Sequence, residues 1–189
     1  MRIRAGEKCD APLIAEAIMQ AVGDEITVGF AGSAERVGLV RQLFTELAEC
    51  DDSQYSYRNT LAAETADGQA VGYIIAYDGA GLRRMRERFI EKANSILGYA
   101  MSQESMTDET VPGEIYLDTL CVFEPWRGQG ISTALINAAI ERHKAAGKPF
   151  GLLVDKSNER ARRIYERLGF RQVGETPFAG ELMDHLQKV

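Results

Sequence analysis

Residues 114–145 limit the choice of fold more than any other stretch, because they pass from strand to glycine-bearing loop to helix without a linker. Glu114–Val122 has strand character, Pro125-Trp126-Arg127-Gly128-Gln129-Gly130 follows at once, and Thr133–Ala145 brings Leu135, Ile136, Ala139 and Ile140 inward at helical spacing. Gly147 is a natural stop for that helix. Phe150–Val154 then reads as a short, nearly continuous apolar strand of the buried kind. A further helix is expected from about Asn158 to Leu168, terminated by Gly169. The result is a mixed α/β domain.

The flanking sequence extends this pattern. Arg2-Ile3-Arg4 reads as a short strand, Asp10 as a helix N-cap, and Pro12 sits in the first turn, where its missing N–H costs nothing. Leu13, Ile14, Ala17, Ile18, Ala21 and Val22 form one apolar face. After a break at Gly29–Gly32, Ser33 is expected to cap a second helix carrying Val37, Val40, Leu43, Phe44 and Leu47. Asn59–Thr65 and Ala70–Asp78 flank an Ala66-Asp67-Gly68 turn and predict a hairpin, with Val71, Tyr73, Ile75 and Tyr77 on one face of its second strand. Leu82, Met85, Phe89, Ala93, Ile96 and Leu97 mark an amphipathic helix, and the polar Ser102–Val111 reads as an exposed loop. Leu182–Gln187 is the best strand candidate in the tail. No repeat or linker divides residues 1–189, so one domain is expected, with an insert at about 79–113.

Composition removes several function classes. Of the 189 residues 45% are apolar and 26% charged, which suits a packed globular domain. The net charge of −6 lacks the basic footprint of a nucleic-acid partner. Cys9, Cys50 and Cys121 lie far apart and form no Cys-x-x-Cys pair, and His143 and His185 are isolated, so neither a disulfide framework nor a metal site is indicated. The N-terminal residues lack the apolar core of a signal peptide, and no run is long enough to span a bilayer; a cytoplasmic location without membrane partners is the expectation.

The loop carries the chemistry. Gly128 and Gly130 remove side chains that would hold a ligand away from the backbone, and the next helix opens with unpaired N–H groups. Together these suit an anion such as a diphosphate, with Arg127 and Ser132 as side-chain donors; simple turn-making is the alternative. No lysine makes a Walker A loop, and Gly128, Gly130 and Thr133 fail the Gly-x-Gly-x-x-Gly spacing of a dinucleotide fingerprint.

At this point the chain resembles the GNAT superfamily of N-acetyltransferases. Arg127-x-x-Gly130-x-Ser132 follows the superfamily's Arg/Gln-x-x-Gly-x-Gly/Ala loop, with serine at the last position. Asn158-x-x-Ala161-x-x-x-Tyr165, then Leu168-Gly169-Phe170, lies at the usual distance beyond it, and a strand ending Leu120-Cys121-Val122 precedes it. The resemblance implies a central, mostly antiparallel sheet flanked by helices, with residues 79–113 as an extra helical insert before the central strand. It also implies acetyl-CoA as co-substrate, no metal, and direct transfer of the acetyl group to a primary amine of a small molecule or peptide in a ternary complex.

Site residues follow from the same resemblance. Leu120, Cys121 and Val122 would pair with the pantetheine arm, and the N–H groups of Arg127, Gly128, Gln129, Gly130, Ile131 and Ser132 would hold the pyrophosphate. Asn158 would hydrogen-bond the co-substrate. Tyr165, with an ordinary pKa of about 10, would protonate the departing thiolate, while an N–H near Val122 would stabilise the oxyanion. The amine needs a base. Glu114 and Asp118 fall on the same strand face, and Asp118 is nearer the thioester end, so it is the first choice, with Glu114 second. Each assignment has a plainer counterpart: Tyr165 as core and Asp118 as a structural carboxylate; Cys121 could suggest a covalent acyl-enzyme, but no histidine lies near it in sequence and a small buried thiol is the commoner reading. Glu104, Asp108 and Glu109 of the insert could attract a cationic amine, or the insert could merely cover the sheet or a second subunit. A CoA-sensing module, an interaction protein and an enzyme using another acyl-CoA remain as rival readings, in a monomer or homodimer.

Overall fold

The computed structural model describes residues 1–189 and carries one seven-stranded sheet in the order β1-β2-β3-β4-β5-β7-β6. The strands are β1 (Arg2–Ala5), β2 (Thr60–Glu64), β3 (Ala70–Asp78), β4 (Ile115–Val122), β5 (Phe150–Val154), β6 (Arg171–Phe178) and β7 (Glu181–Lys188). Every neighbouring pair is antiparallel except β4 and β5. One face of the sheet packs on α1 (Ala11–Val22), α2 (Asp24–Ala31), α3 (Val37–Glu49) and α4 (Leu82–Leu97); the other packs on α5 (Ile131–His143) and α6 (Glu159–Arg167). The expected mixed sheet flanked by helices is the architecture observed. No helix is long and apolar enough to cross a membrane.

The core follows the apolar stripes. Ile14, Ile18, Leu43, Leu47, Tyr73, Ile75 and Leu82 are almost wholly buried on the first face, and Ile74, Ile131, Leu135, Ile136 and Leu152 on the second. α4 occupies the predicted 82–97 and seats Leu82, Met85, Phe89, Ala93 and Leu97 inward. The insert is therefore part of the core, because a charged helix with one continuous apolar stripe gains by packing that stripe.

Four local expectations are corrected. Val71 lies on the α5 face with Ile74 and Ala76, not with Tyr73 and Tyr77, because the β2–β3 ladder pairs Ala63 with Gly72 and Glu64 with Ala70, leaving Val71 as a bulge that shifts the alternation. Asp10 does not cap α1 with its side chain; it is buried, accepts from both terminal guanidinium nitrogens of Arg4 at 2.7 and 2.9 Å, and also accepts from Tyr73 Oη at 3.1 Å. Ser33 makes no side-chain cap and precedes a 3-10 turn before α3. A short helix, α2, occupies Asp24–Ala31, and Ser102–Val111 buries Glu109 and Thr110 rather than lying wholly exposed.

Two irregularities of β4 position the site. Its ladder with β3 pairs Ile75 with Thr119 and Ala76 with Leu117, so Asp118 is the extra residue of a second bulge. Against β5, β4 pairs only at Ile115↔Phe150 and Tyr116↔Gly151; beyond Tyr116 the two strands part. Phe123 N–H donates to the Val71 carbonyl at 3.0 Å, and alternation along the strand then turns the peptide groups of Val122 and Leu120 away from β3, into the opening.

Candidate active site

The opening between β4 and β5 leads into a cleft of about 790 Å³ lined by Leu120, Cys121, Val122, Arg127, Gly128, Gly130, Ile131, Ser132, Asn158 and Tyr165. Every residue expected to bind the co-substrate is thus brought together except Gln129, which is exposed beside the cleft. Gly128 and Gly130 both adopt φ of +80°, a left-handed conformation that suits glycine, and a Cβ at either would meet no atom within 4 Å. The backbone there approaches open space.

The loop's donors are unspent. No N–H from Gly128 to Thr133 is bonded within the protein; the first bond of α5 runs from Ala134 N–H to the Gly130 carbonyl at 3.1 Å. Gly130 caps the helix without a side chain. A row of free N–H groups at a helix N-terminus is an anion site. Arg127 folds back so that its Nε donates to the Val122 carbonyl at 2.9 Å. Arg160, Arg163 and Arg167 of α6 add positive charge to the same cleft.

The model of the acetyltransferase (GNAT) family matches residues 33–170. The chain belongs to that family. Acetyltransferase Atu2258 of Agrobacterium fabrum strain C58 is 31% identical over 125 residues, which are 61% of this chain and 86% of that one. A crystal structure of an acetyltransferase, also 31% identical, covers 100% of this chain and 98% of its own with a TM-score of 0.75. An N-acetyltransferase from Staphylococcus aureus Mu50 shares the fold over the whole of both chains at 21% identity and a TM-score of 0.79. Proteins of the GNAT fold draw their acyl group from acetyl-CoA.

In this GNAT chain the cleft at the head of α5 does not end at Tyr165. Ala21, Leu120, Asn158, Ala161 and Tyr165 also line a middle cleft of about 570 Å³ whose other wall holds Asp118 and Glu109. Val22, Ile26, Tyr55, Glu109 and Phe178 in turn belong to both that middle cleft and a third cavity of about 600 Å³ beneath α2 and α4. The three lie in a row, with the carboxylates and Tyr165 at the centre.

Each side chain in this row has a definite state. Tyr165 sits on α6 against Phe170, ring centroids 5.9 Å apart, and its surroundings push its phenol up to about 12, so it keeps its proton at neutral pH. Asn158 caps α6 by accepting from Ala161 N–H at 3.1 Å. Burial pushes the Cys121 thiol up to about 11, which makes it a thiol rather than a nucleophilic thiolate. Asp118, at the bulge, accepts from Tyr77 Oη at 2.7 Å and Thr119 Oγ1 at 3.0 Å, yet burial still raises its carboxyl above the ordinary range. Glu109 receives Gln54 Nε2 at 2.9 Å and Arg86 Nη2 at 3.1 Å, and burial together with the Asp118 charge raises it to about 7.

Glu114 is different. It lies on the same sheet face as Asp118, as alternation predicts, but at the end where β4 and β5 are still paired. Its carboxylate accepts from Thr110 Oγ1 at 2.5 Å and Gln187 Nε2 at 2.7 Å, and meets His185 Nε2 at 2.9 Å. Burial alone would raise it, but these bonds hold it below the usual carboxylate range. A Cβ on Gly151 would come within 1.9 Å of Glu114 Oε2, so the carboxylate fills the space a side chain would need. Glu114 lines none of the three clefts in the row.

Of the three insert carboxylates, only Glu109 faces the row. Asp108 is engaged by Arg83 at 2.8 Å and Arg86 at 2.7 Å, and Glu104 is exposed. The Ser102–Val111 segment, expected to be exposed, buries Glu109, and its partner Arg86 on α4 is completely buried. One signal was available: Arg86 lies four residues after Leu82 and three before Phe89, inside the apolar stripe of α4. A guanidinium there requires a buried acidic partner.

Proposed function

We propose that this acetyltransferase is an N-acetyltransferase that moves the acetyl group of acetyl-CoA to a primary amine, both substrates being bound together. The observation that carries the reading is the run of free N–H groups from Gly128 to Thr133 at the head of α5. With Arg127, Arg160, Arg163 and Arg167 around them, these donors fit a diphosphate. The edge of β4 that turns away from β3 at Leu120 and Val122, where only the Val122 carbonyl is taken, by Arg127, fits an amide-bearing arm laid along the strand, as an added strand would be.

Acetyl-CoA supplies the thioester, whose C–S bond breaks as the new C–N bond forms. The protein's own groups manage the protons. An ammonium loses two protons on becoming an amide; one replaces the lost bond on sulfur and the other leaves to solvent. Tyr165, protonated at neutral pH, lines the cleft from which the thiolate departs and gives it that proton. Asp118, with Glu109 beside it, takes protons from the amine nitrogen. Glu114 braces the sheet beneath them and is assigned no part in the chemistry.

Calorimetry with CoA tests the reading. Wild-type protein should give a binding isotherm, and Gly130→Ala, which forces a side chain into a left-handed backbone at a cost of about 1–2 kcal/mol, should weaken it about tenfold. Absence of heat with the wild-type protein defeats the proposal.

A further inference from the structure

The cavity beneath α2 and α4 shares no lining residue with the cleft at the head of α5, and its lining is selective. Its walls are aromatic and aliphatic, with Phe30, Phe44, Tyr55, Phe89 and Phe178 the largest side chains. At about 600 Å³ it has the size of a small-molecule site rather than a packing defect. Several of its polar lining groups are already committed: Thr27 Oγ1 donates to the Gly23 carbonyl at 2.8 Å, and Ser105 Oγ to the Ser102 carbonyl at 2.8 Å.

Two acceptors remain at the end that opens toward Asp118. Glu109 lines both this cavity and the middle cleft. Gln54, only 3% exposed, uses its Nε2 on Glu109, and its Oε1 has no partner in the protein. A buried carbonyl oxygen without a donor costs free energy unless something supplies one. An ammonium supplies three donors and one positive charge.

We infer that the acceptor is a compact primary amine with a single bulky aromatic or branched aliphatic body. The body enters the aromatic cavity, and the ammonium rests on Glu109 and Gln54 Oε1, at the threshold of the cleft that holds Asp118 and Tyr165. A polyamine is disfavoured because Glu109 is the one carboxylate in this cavity and the rest of the lining would strip water from its other charges. A peptide is disfavoured because its further amides would meet phenyl rings instead of hydrogen-bonding partners. This inference rests on the acetyl-transfer reading above.

The test uses the full chain and three amines: 2-phenylethylamine, spermidine and a tetrapeptide with a free N-terminus. With acetyl-CoA saturating, 2-phenylethylamine should give kcat/KM about 50-fold above either of the others, as burial of one phenyl group allows. Direct calorimetry of 2-phenylethylamine against CoA-saturated protein should show binding, which Glu109→Gln and Phe178→Ala each weaken about tenfold without altering CoA affinity. Retained CoA binding in each variant shows that it is folded. If spermidine or the peptide is preferred, or if 2-phenylethylamine fails to bind protein that does bind CoA, this inference is overturned and the acetyl-transfer reading stands. If CoA itself gives no heat, both fall.

Discussion

Glu114 and Asp118 share one strand and one face, four residues apart, and the structure gives them opposite properties. Glu114 lies where β4 and β5 are still paired; Thr110, His185 and Gln187 surround it, and its carboxyl is held low. Asp118 lies beyond the parting of the strands, where two hydroxyls and a neighbouring acid replace that shell, and its carboxyl is raised. Burial is common to both and would raise either one. The number and kind of donors decide whether a buried carboxylate becomes a brace or a base.

The strongest way to break this comparison is to remove the proposed base. Asp118→Asn is expected to lower kcat by about a thousandfold, within the range of general-base losses, while the melting temperature stays near that of the wild type. A comparable loss of stability would make Asp118 a second brace. The complementary change is Glu114→Ala, which leaves His185 and Gln187 facing an empty buried space. It should cost about 3 kcal/mol in denaturant unfolding and spare the turnover of molecules that remain folded. An unaltered unfolding midpoint would deny Glu114 the bracing role.

The smallest effect is the most discriminating. The Asp118–Glu109 pair must be ionised to accept a proton, so kcat/KM should rise with pH through about 7 and then level off. Glu109→Gln removes one charge of the pair and should move that limb toward acid. Stability runs the other way. The native protein holds the Glu109 proton more tightly than the unfolded chain, so this contribution is fullest below the ordinary carboxylate range and fades as pH climbs through 7. Glu114, held low, contributes stability that is lost only as the pH falls through its depressed value. Across pH 4–8 the unfolding midpoint of Glu109→Gln should therefore gain on the wild type, while the gap between Glu114→Ala and the wild type holds steady and closes only at lower pH.

What was legible in the sequence rests on short-range pattern. The hairpin around Asp67-Gly68, the 82–97 helix and the strand–loop–helix at 115–143 each declare themselves through periodicity or turn chemistry within a dozen residues. The candidate site was legible to the same extent: the loop, Asn158, Tyr165 and Asp118 line connected clefts. Long-range features were not. Val71 changes face because of how β2 happens to pair, and Asp10 abandons its cap because Arg4 and Tyr73 offer a buried carboxylate more than a helix end does. Glu109 needed a partner on another element to be noticed. Its partner, Arg86, was in plain view as the charge inside an apolar stripe.

The extra residue at Asp118 also acts as a phase shift. Below it, odd-numbered positions such as Ile115 and Leu117 pack toward α5; above it, even-numbered Leu120 and Val122 do. Closing the bulge would turn Thr119–Val122 over, moving Cys121 to the α5 side and rotating the Leu120 and Val122 peptide groups back toward β3. The polar edge that borders the cleft exists because one strand of the pair is a single residue longer than its neighbour.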